Sequence, residues 1–236
     1  MACYLPQQPE AANSLTAFTL LQIVPSLAPG GIARATIDTA QAIVAGGGRA
    51  IVASPGGAML PDLLRVRATH VELPEWGNPL WARLGLPARL AGQLREARID
   101  LIDARSPVAA WVALGLARRL GAKWVTTLHR PLHARSFLER RAERRALQAE
   151  AVIAVSDHVA GAARALDAGL GERLQTIAPG INLDRFDPAV VRADRIIRLA
   201  GDLRVPDGRL VVLFPARFDR DRGQKRLVEA IAGLNR

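Results

Sequence analysis

Short β-prone runs that are apolar on both faces alternate along this chain with longer helical patterns, and this alternation restricts the fold more than any other feature. Strands are expected near Thr19–Val24, Arg49–Ala53, Thr69–Leu73, Asp100–Asp103, Lys123–Leu128, Ala151–Val155 and Leu174–Ile177. Helices are expected near Ala33–Ala45, Pro79–Arg98, Val108–Leu120, Ser136–Glu150 and His158–Leu166. A strand apolar on both faces is covered on both, so the pattern predicts an α/β fold, a Rossmann-like doubly wound parallel sheet with helices on each side. Two boundaries support this register. Ser156 stands between an apolar run and a helical stretch as a candidate N-cap, and Gly121 closes the preceding Ala-rich helix.

The length of 236 residues accommodates one substantial α/β domain and a further piece. Residues 1–14, with Pro6 and Pro9, read as a loose leader, 15–183 as the first domain and 184–206 as a connector of mixed helical character. The apolar run Arg209–Phe214, a basic loop from Pro215 to Lys225 and a helical pattern ending at Arg236 read as the strand, loop and helix that begin a second domain over 207–236. On this expectation the second domain is incomplete, and the chain carries one half of a two-domain site.

The formal charge of +10 invites a nucleic-acid or anionic-membrane reading. Lysine occurs only at Lys123 and Lys225, however, so the excess is arginine in an Ala- and Arg-heavy sequence, and compositional bias accounts for part of it. Aromatic residues make up 4% of the chain, too few to interleave with the basic groups as a base-stacking surface, so no nucleic-acid partner is expected. The single cysteine, Cys3, excludes an intrachain disulfide and a cysteine-based metal cluster, which fits a cytoplasmic location. The apolar stretch Leu15–Ala28 lacks the basic leading region of a signal peptide and reads as the first core strand. No apolar run reaches the roughly 18 residues of a membrane span.

Several residues sit where chemistry would be expected. Pro29-Gly30-Gly31-Ile32 follows the first strand and opens a helix, so it is either a diphosphate-facing turn with free backbone N–H groups or an ordinary tight turn. His129 directly follows a strand, at the edge of a doubly wound sheet that faces the ligand crevice. There it either serves a sugar hydroxyl or a proton transfer, or is an ordinary hydrogen-bonding residue. Arg105 and Ser106 end another strand. Arg105 is a candidate bidentate phosphate or carboxylate ligand, whereas Ser106 reads first as a helix cap. Arg140, Arg141, Arg144 and Arg145 form a basic stripe on the Ser136–Glu150 helix. It offers peripheral contact with an anionic membrane, or is a solvated face tempered by Glu139 and Glu143. No metal site is expected, since His133 and His158 form no metal-ligand spacing with His129.

Taken together, Pro29-Gly30-Gly31-Ile32, Val125–His129, Val152–Ser156, Pro179–Asn182 with Phe186–Pro188, and Arg217–Gln224 resemble the family 4 glycosyltransferases of the GT-B fold, over about Leu20 to Arg236. That resemblance implies two Rossmann-like domains facing each other across a cleft. It implies retaining transfer of a sugar from a nucleotide-diphosphate donor to a glycan or lipid-linked acceptor, as in bacterial lipopolysaccharide or surface-polysaccharide synthesis. No cofactor is implied beyond the nucleotide sugar as co-substrate. By the same resemblance Gly30 and Gly31 lie near the donor phosphates and the acceptor, His129 is the catalytic-site histidine facing the donor sugar, and Arg217 and Arg222 bind the diphosphate. Arg222 stands where the family usually has lysine, so a planar fork replaces a point charge. Ala33 and Asn182 stand where many relatives carry acidic residues. The family's Glu-rich loop, which meets the donor sugar and the ribose, would lie beyond Arg236, and the polypeptide alone is expected to have little or no transferase activity. Two other readings remain beside this one: a nucleotide-sugar epimerase of the same fold, and a non-enzymatic acceptor-binding or membrane-associated remnant.

Overall fold

The structure, a computed structural model, describes residues 18–75, 85–133, 136–183, 186–206, 208–216, 218 and 223–234. The chain divides into a first unit that ends at Asn182 and a second that begins at Leu183. In the first unit the strands are β1 (Thr19–Ile23), β2 (Arg49–Ser54), β3 (Thr69–Glu72), β4 (Leu101–Ala104), β5 (Lys123–Leu128), β6 (Ala151–Ala154) and β7 (Leu174–Thr176). Its helices are α1 (Gly31–Ala45), α2 (Leu60–Arg65), α3 (Leu86–Gln93), α4 (Pro107–Leu120), α5 (Phe137–Ala146) and α6 (Asp157–Leu166).

The strands form one seven-stranded sheet in the order β3-β2-β1-β4-β5-β6-β7. Every pairing is parallel, with Leu21 opposite both Ile51 and Ile102. Side chains alternate across the sheet and fill two cores. Leu21, Ile23, Ile51 and Ala53 pack with α3, α4 and α6, while Ala50 and Val52 pack with Ile37 of α1 and Leu63 of α2. Gln22 of β1 is fully buried, a polar exception on a strand that otherwise buries apolar residues and one threonine.

The expected alternation is present, with its boundaries shifted for local physical reasons. β4 starts at Leu101 because Asp100 turns its carboxylate to accept from the Thr19 amide at 2.7 Å, while its own amide donates to the Thr19 carbonyl. The helix expected over Pro79–Arg98 is present as α3, Leu86–Gln93, and 76–84 lie outside the described residues. The helix expected over Ser136–Glu150 stops at Ala146, since Leu147 and Ala149 turn inward and give their carbonyls to Arg173 Nη1 at 3.2 and 3.0 Å. Both expected punctuation marks hold. Ser156 Oγ accepts from the Val159 amide at 3.3 Å, and Gly121 closes α4 in the left-handed region at φ 66°. The short helix α2 and the 3-10 turns at Ala168–Arg173 were not expected.

In the second unit, the connector of mixed helical character contains a regular helix, α7 (Ala193–Asp202), and α8 (Gln224–Leu234) follows it. The run Arg209–Phe214 forms no strand, and its apolar side chains lie open, Leu210 being 94% exposed. A β-strand exists by virtue of a neighbour's backbone, and among the described residues none pairs with this one.

Candidate functional site

The loops after β1 and β4 leave the sheet in opposite senses, since β1 feeds α1 and β2 on one side and β4 feeds α4 and β5 on the other. The carboxyl ends of these adjacent strands form the topological switch point, where open α/β sheets bind their ligands. Here the Arg105 amide donates to the Ile23 carbonyl at 3.0 Å and ties the two strand ends together.

Beyond Ile23 the chain runs through Ser26 and Leu27 to Gly30, which precedes α1 with extended backbone (φ 166°) and no side-chain cap. The first turn of α1 therefore presents backbone N–H groups with the positive end of a helix dipole. A Cβ at Gly31 would meet nothing of this chain within 4 Å, and one at Gly30 only the Ala28 carbonyl at 3.9 Å. The fold itself has no steric need of either glycine. A second glycine pair, which sequence reasoning missed, holds this loop from behind. The Leu27 amide donates to the Gly56 carbonyl at 2.8 Å and the Met59 amide to the Leu27 carbonyl at 2.9 Å. At Gly57, φ is +147° and a Cβ would lie 2.3 Å from the Leu27 carbonyl carbon. Its signal was present in the sequence: Pro55-Gly56-Gly57 after β2 repeats the Pro-Gly-Gly that follows β1.

His129 stands at the carboxyl end of β5, half-buried. Its Nε2 is out of solvent contact and has no hydrogen-bond partner among the described residues. Its pKa falls from 6.5 to about 4, because burial and then the Arg105 guanidinium lower it while the Asp103 carboxylate opposes both. The folded chain thus keeps this imidazole neutral where the unfolded chain takes up a proton. His129 therefore contributes stability that is complete above pH 6.5 and is lost as pH falls towards about 4. Urea midpoints of the chain and of His129→Gln, compared at about pH 7.5 and about pH 5, should show a smaller acid loss in the variant. Equal losses would remove His129 as the cause.

The structure places Arg105 differently from the sequence expectation of an open anion ligand. It is 5% exposed, and its Nε donates to Asp103 Oδ2 at 2.7 Å. Nη2 donates to Thr39 Oγ1 of α1 at 2.9 Å. The buried Gln22 amide, oriented by its neighbours, donates to the Thr36 carbonyl at 3.1 Å and accepts from Arg105 Nη2 at 2.8 Å. Asp103 Oδ1 accepts from Thr127 Oγ1 of β5 at 2.8 Å. A phosphate reaching this guanidinium would meet a side chain already paired with a buried carboxylate. Ser106 caps α4, its Oγ accepting from the Ala109 amide at 3.1 Å. Gly30, Gly31, Arg105, Ser106 and His129 thus all lie along the carboxyl edges of β1, β4 and β5, whereas Arg217 and Arg222 lie outside the described residues.

On α5, the guanidinium groups of Arg141 and Arg145 sit over the Trp111 ring of α4, 5.9 and 5.5 Å from its centroid. With Phe137, Arg140, Arg144 and Gln148 they line an open depression of about 500 Å3, and Phe137 is 74% exposed. Among the described residues, no three His, Cys, Asp or Glu side chains gather as a metal site. No helix among them is long and apolar enough to cross a membrane.

Residues 29–185, which start at the Gly30 loop and include the β4 side of the switch point and His129, match the sequence profile of Glycosyltransferase Family 4. The chain belongs to that family. Solved relatives carry the same fold. A glycosyltransferase from Rickettsia africae ESF-5 is 27% identical with a TM-score of 0.78, the match covering 92% of this chain and 57% of that one. HepE from Anabaena, solved with UDP-glucose, is 25% identical with a TM-score of 0.75, covering 91% of this chain and 57% of that one. Sucrose-phosphate synthase from Thermosynechococcus elongatus, 17% identical with a TM-score of 0.69, shares the fold over 92% of this chain and 60% of its own. No curated protein sequence matches. The chain thus spans under two thirds of the length of each of these solved structures.

Proposed function

We propose that this family 4 chain supplies the acceptor-side half of a retaining sugar transfer from a nucleotide-diphosphate donor to a glycan or lipid-linked acceptor of the bacterial surface. The observation that carries the reading is the neutral His129, with an unpartnered Nε2, at the carboxyl end of β5 in the same sheet edge as the bare helix N-terminus at Gly30 and Gly31. A neutral imidazole suits a sugar hydroxyl, with which it exchanges a hydrogen bond without placing a charge beside the reacting carbon. Backbone N–H groups at a helix start suit phosphate oxygens. The complex of HepE with UDP-glucose supports a nucleotide sugar as the donor class. Arg217 and Arg222 are the proposed diphosphate contacts, stabilising the charge that develops as the sugar leaves. Transfer by this polypeptide alone is expected to be weak, because the Leu210–Phe214 run of its second unit pairs with no strand among the described residues.

The test separates fold from ligand. Because a helical Gly-to-Ala change favours the folded chain, Gly31→Ala should raise stability by up to about 1 kcal/mol. In contrast, the new methyl group should weaken UDP-glucose or pyrophosphate binding, measured by calorimetry, by about tenfold or more. Undiminished binding in a stable Gly31→Ala chain would remove the glycine loop from the ligand site.

A peripheral membrane contact through α5 is part of the same proposal, and one observation favours it: the exposed Phe137 and Leu138 adjoin Arg140, Arg141, Arg144 and Arg145. Cations beside an apolar wedge suit an anionic lipid surface. Co-sedimentation with phosphatidylglycerol vesicles should be strong at low salt, fade at roughly 0.5 M salt, and be lost in Arg140→Glu/Arg144→Glu. No binding at low salt would refute it.

A further inference from the structure

Arg105 occupies the switch point, yet its guanidinium is turned into the protein. From there it reaches three structural elements besides its own loop. It meets Asp103 in β4 through Nε, Thr39 in the third turn of α1 through Nη2, and Gln22 in β1, while its backbone amide holds the Ile23 carbonyl. Gln22 in turn holds the Thr36 carbonyl of α1, and Asp103 holds Thr127, two residues before His129. The chain Thr39–Arg105–Asp103–Thr127 therefore runs unbroken from the helix that begins at Gly31 to the strand that leads into His129.

We propose that Arg105 is a positioning residue: one buried guanidinium locks α1 to the carboxyl ends of β1, β4 and β5, and so fixes the helix N-terminus relative to His129. The inference deepens the functional reading above and rests on it for its purpose, though not for its test. A planar fork with fixed donor directions is the side chain for such a joint, because it meets several acceptors at set angles where an ammonium group meets them at none. The burial also keeps the positive charge beside His129 without exposing it to solvent anions. Arg105 and Asp103 are the charged groups that act on that imidazole, and they act in opposite senses. The pair as a whole thus adds little net charge to the site, while its geometry is rigid.

The test uses the full chain without ligand, so that it fails or succeeds apart from the proposed transfer. His129 Cε1–H is followed by NMR through a pH titration, with His129→Gln assigning the resonance among the four histidines. In Arg105→Gln the imidazole should titrate at least about one pH unit higher, since a neighbouring cation is gone and Asp103 is left uncompensated. In Arg105→Lys the titration should stay low, while amide exchange in the second and third turns of α1 should quicken by about tenfold or more. Thr39→Val, which keeps Arg105 and removes only its partner on α1, should quicken the same amides and leave the β5 amides unchanged. It keeps the test open should Arg105→Gln not fold. An unmoved His129 titration in a folded Arg105→Gln chain, or unchanged α1 exchange in Thr39→Val, would overturn the proposal.

Discussion

Asp103→Ala is expected to lower the unfolding free energy by about 3–5 kcal/mol, among the largest losses available to a single side chain in this protein. The magnitude comes from what the change leaves behind. Arg105 is 5% exposed, so without the carboxylate its charge stays in the interior, with Thr39 and Gln22 offering only neutral acceptors. Thr127 Oγ1 loses its acceptor at the same time. The pair need not itself be strongly stabilising for this to follow, because removing one partner exposes the desolvation cost of the other. Asp103→Leu/Arg105→Met, which removes both charges at similar volume, should therefore recover most of the stability lost in Asp103→Ala. Urea unfolding of the chain and both variants decides the matter. A single variant within about 1 kcal/mol of the parent would mean that the guanidinium finds water instead.

Gly57→Ala is the second large effect, expected at about 3 kcal/mol or more. Its Cβ would lie 2.3 Å from the Leu27 carbonyl carbon and 2.5 Å from the Ala28 amide nitrogen, both backbone atoms, at a φ of +147° that L-residues rarely adopt. Backbone cannot rotate aside as a side-chain tip does, so the loop that carries Gly30 must shift as a body. The comparison with Gly31→Ala is the informative one, because both changes add the same methyl group. The first should cost stability, whereas the second should cost only ligand. Melting curves of the two variants measure the difference directly, and equal melting temperatures would show that the β2 loop does not brace the β1 loop.

The sheet was legible because strands buried on both faces announce themselves as continuous apolar runs. β5, at Lys123–Leu128, lies where the sequence places it, and Ser156 and Gly121 mark helix ends by chemistry that acts within a few residues. Arg105 was placed at the right strand end but given the wrong surroundings. Its partner Thr39 is 66 residues away, and no local pattern says that a guanidinium will turn inward to meet it. Gly57 escaped for a similar reason, since its constraint comes from Leu27 on another loop. Arg209–Phe214 shows the opposite failure. Its composition is that of a strand, but strand formation depends on a neighbouring backbone that local composition does not supply.

That same run has a consequence for how the polypeptide behaves in solution. Leu210, Val211, Val212, Leu213 and Phe214 are contiguous, exposed, β-prone and uncharged. Such a segment is a template for stacking on copies of itself, held off by the flanking charges of Arg209 and, beyond Pro215, Arg217. The stretch that reads in sequence as the threshold of a nucleotide-binding domain is, in this structure, an unpaired apolar segment open to association.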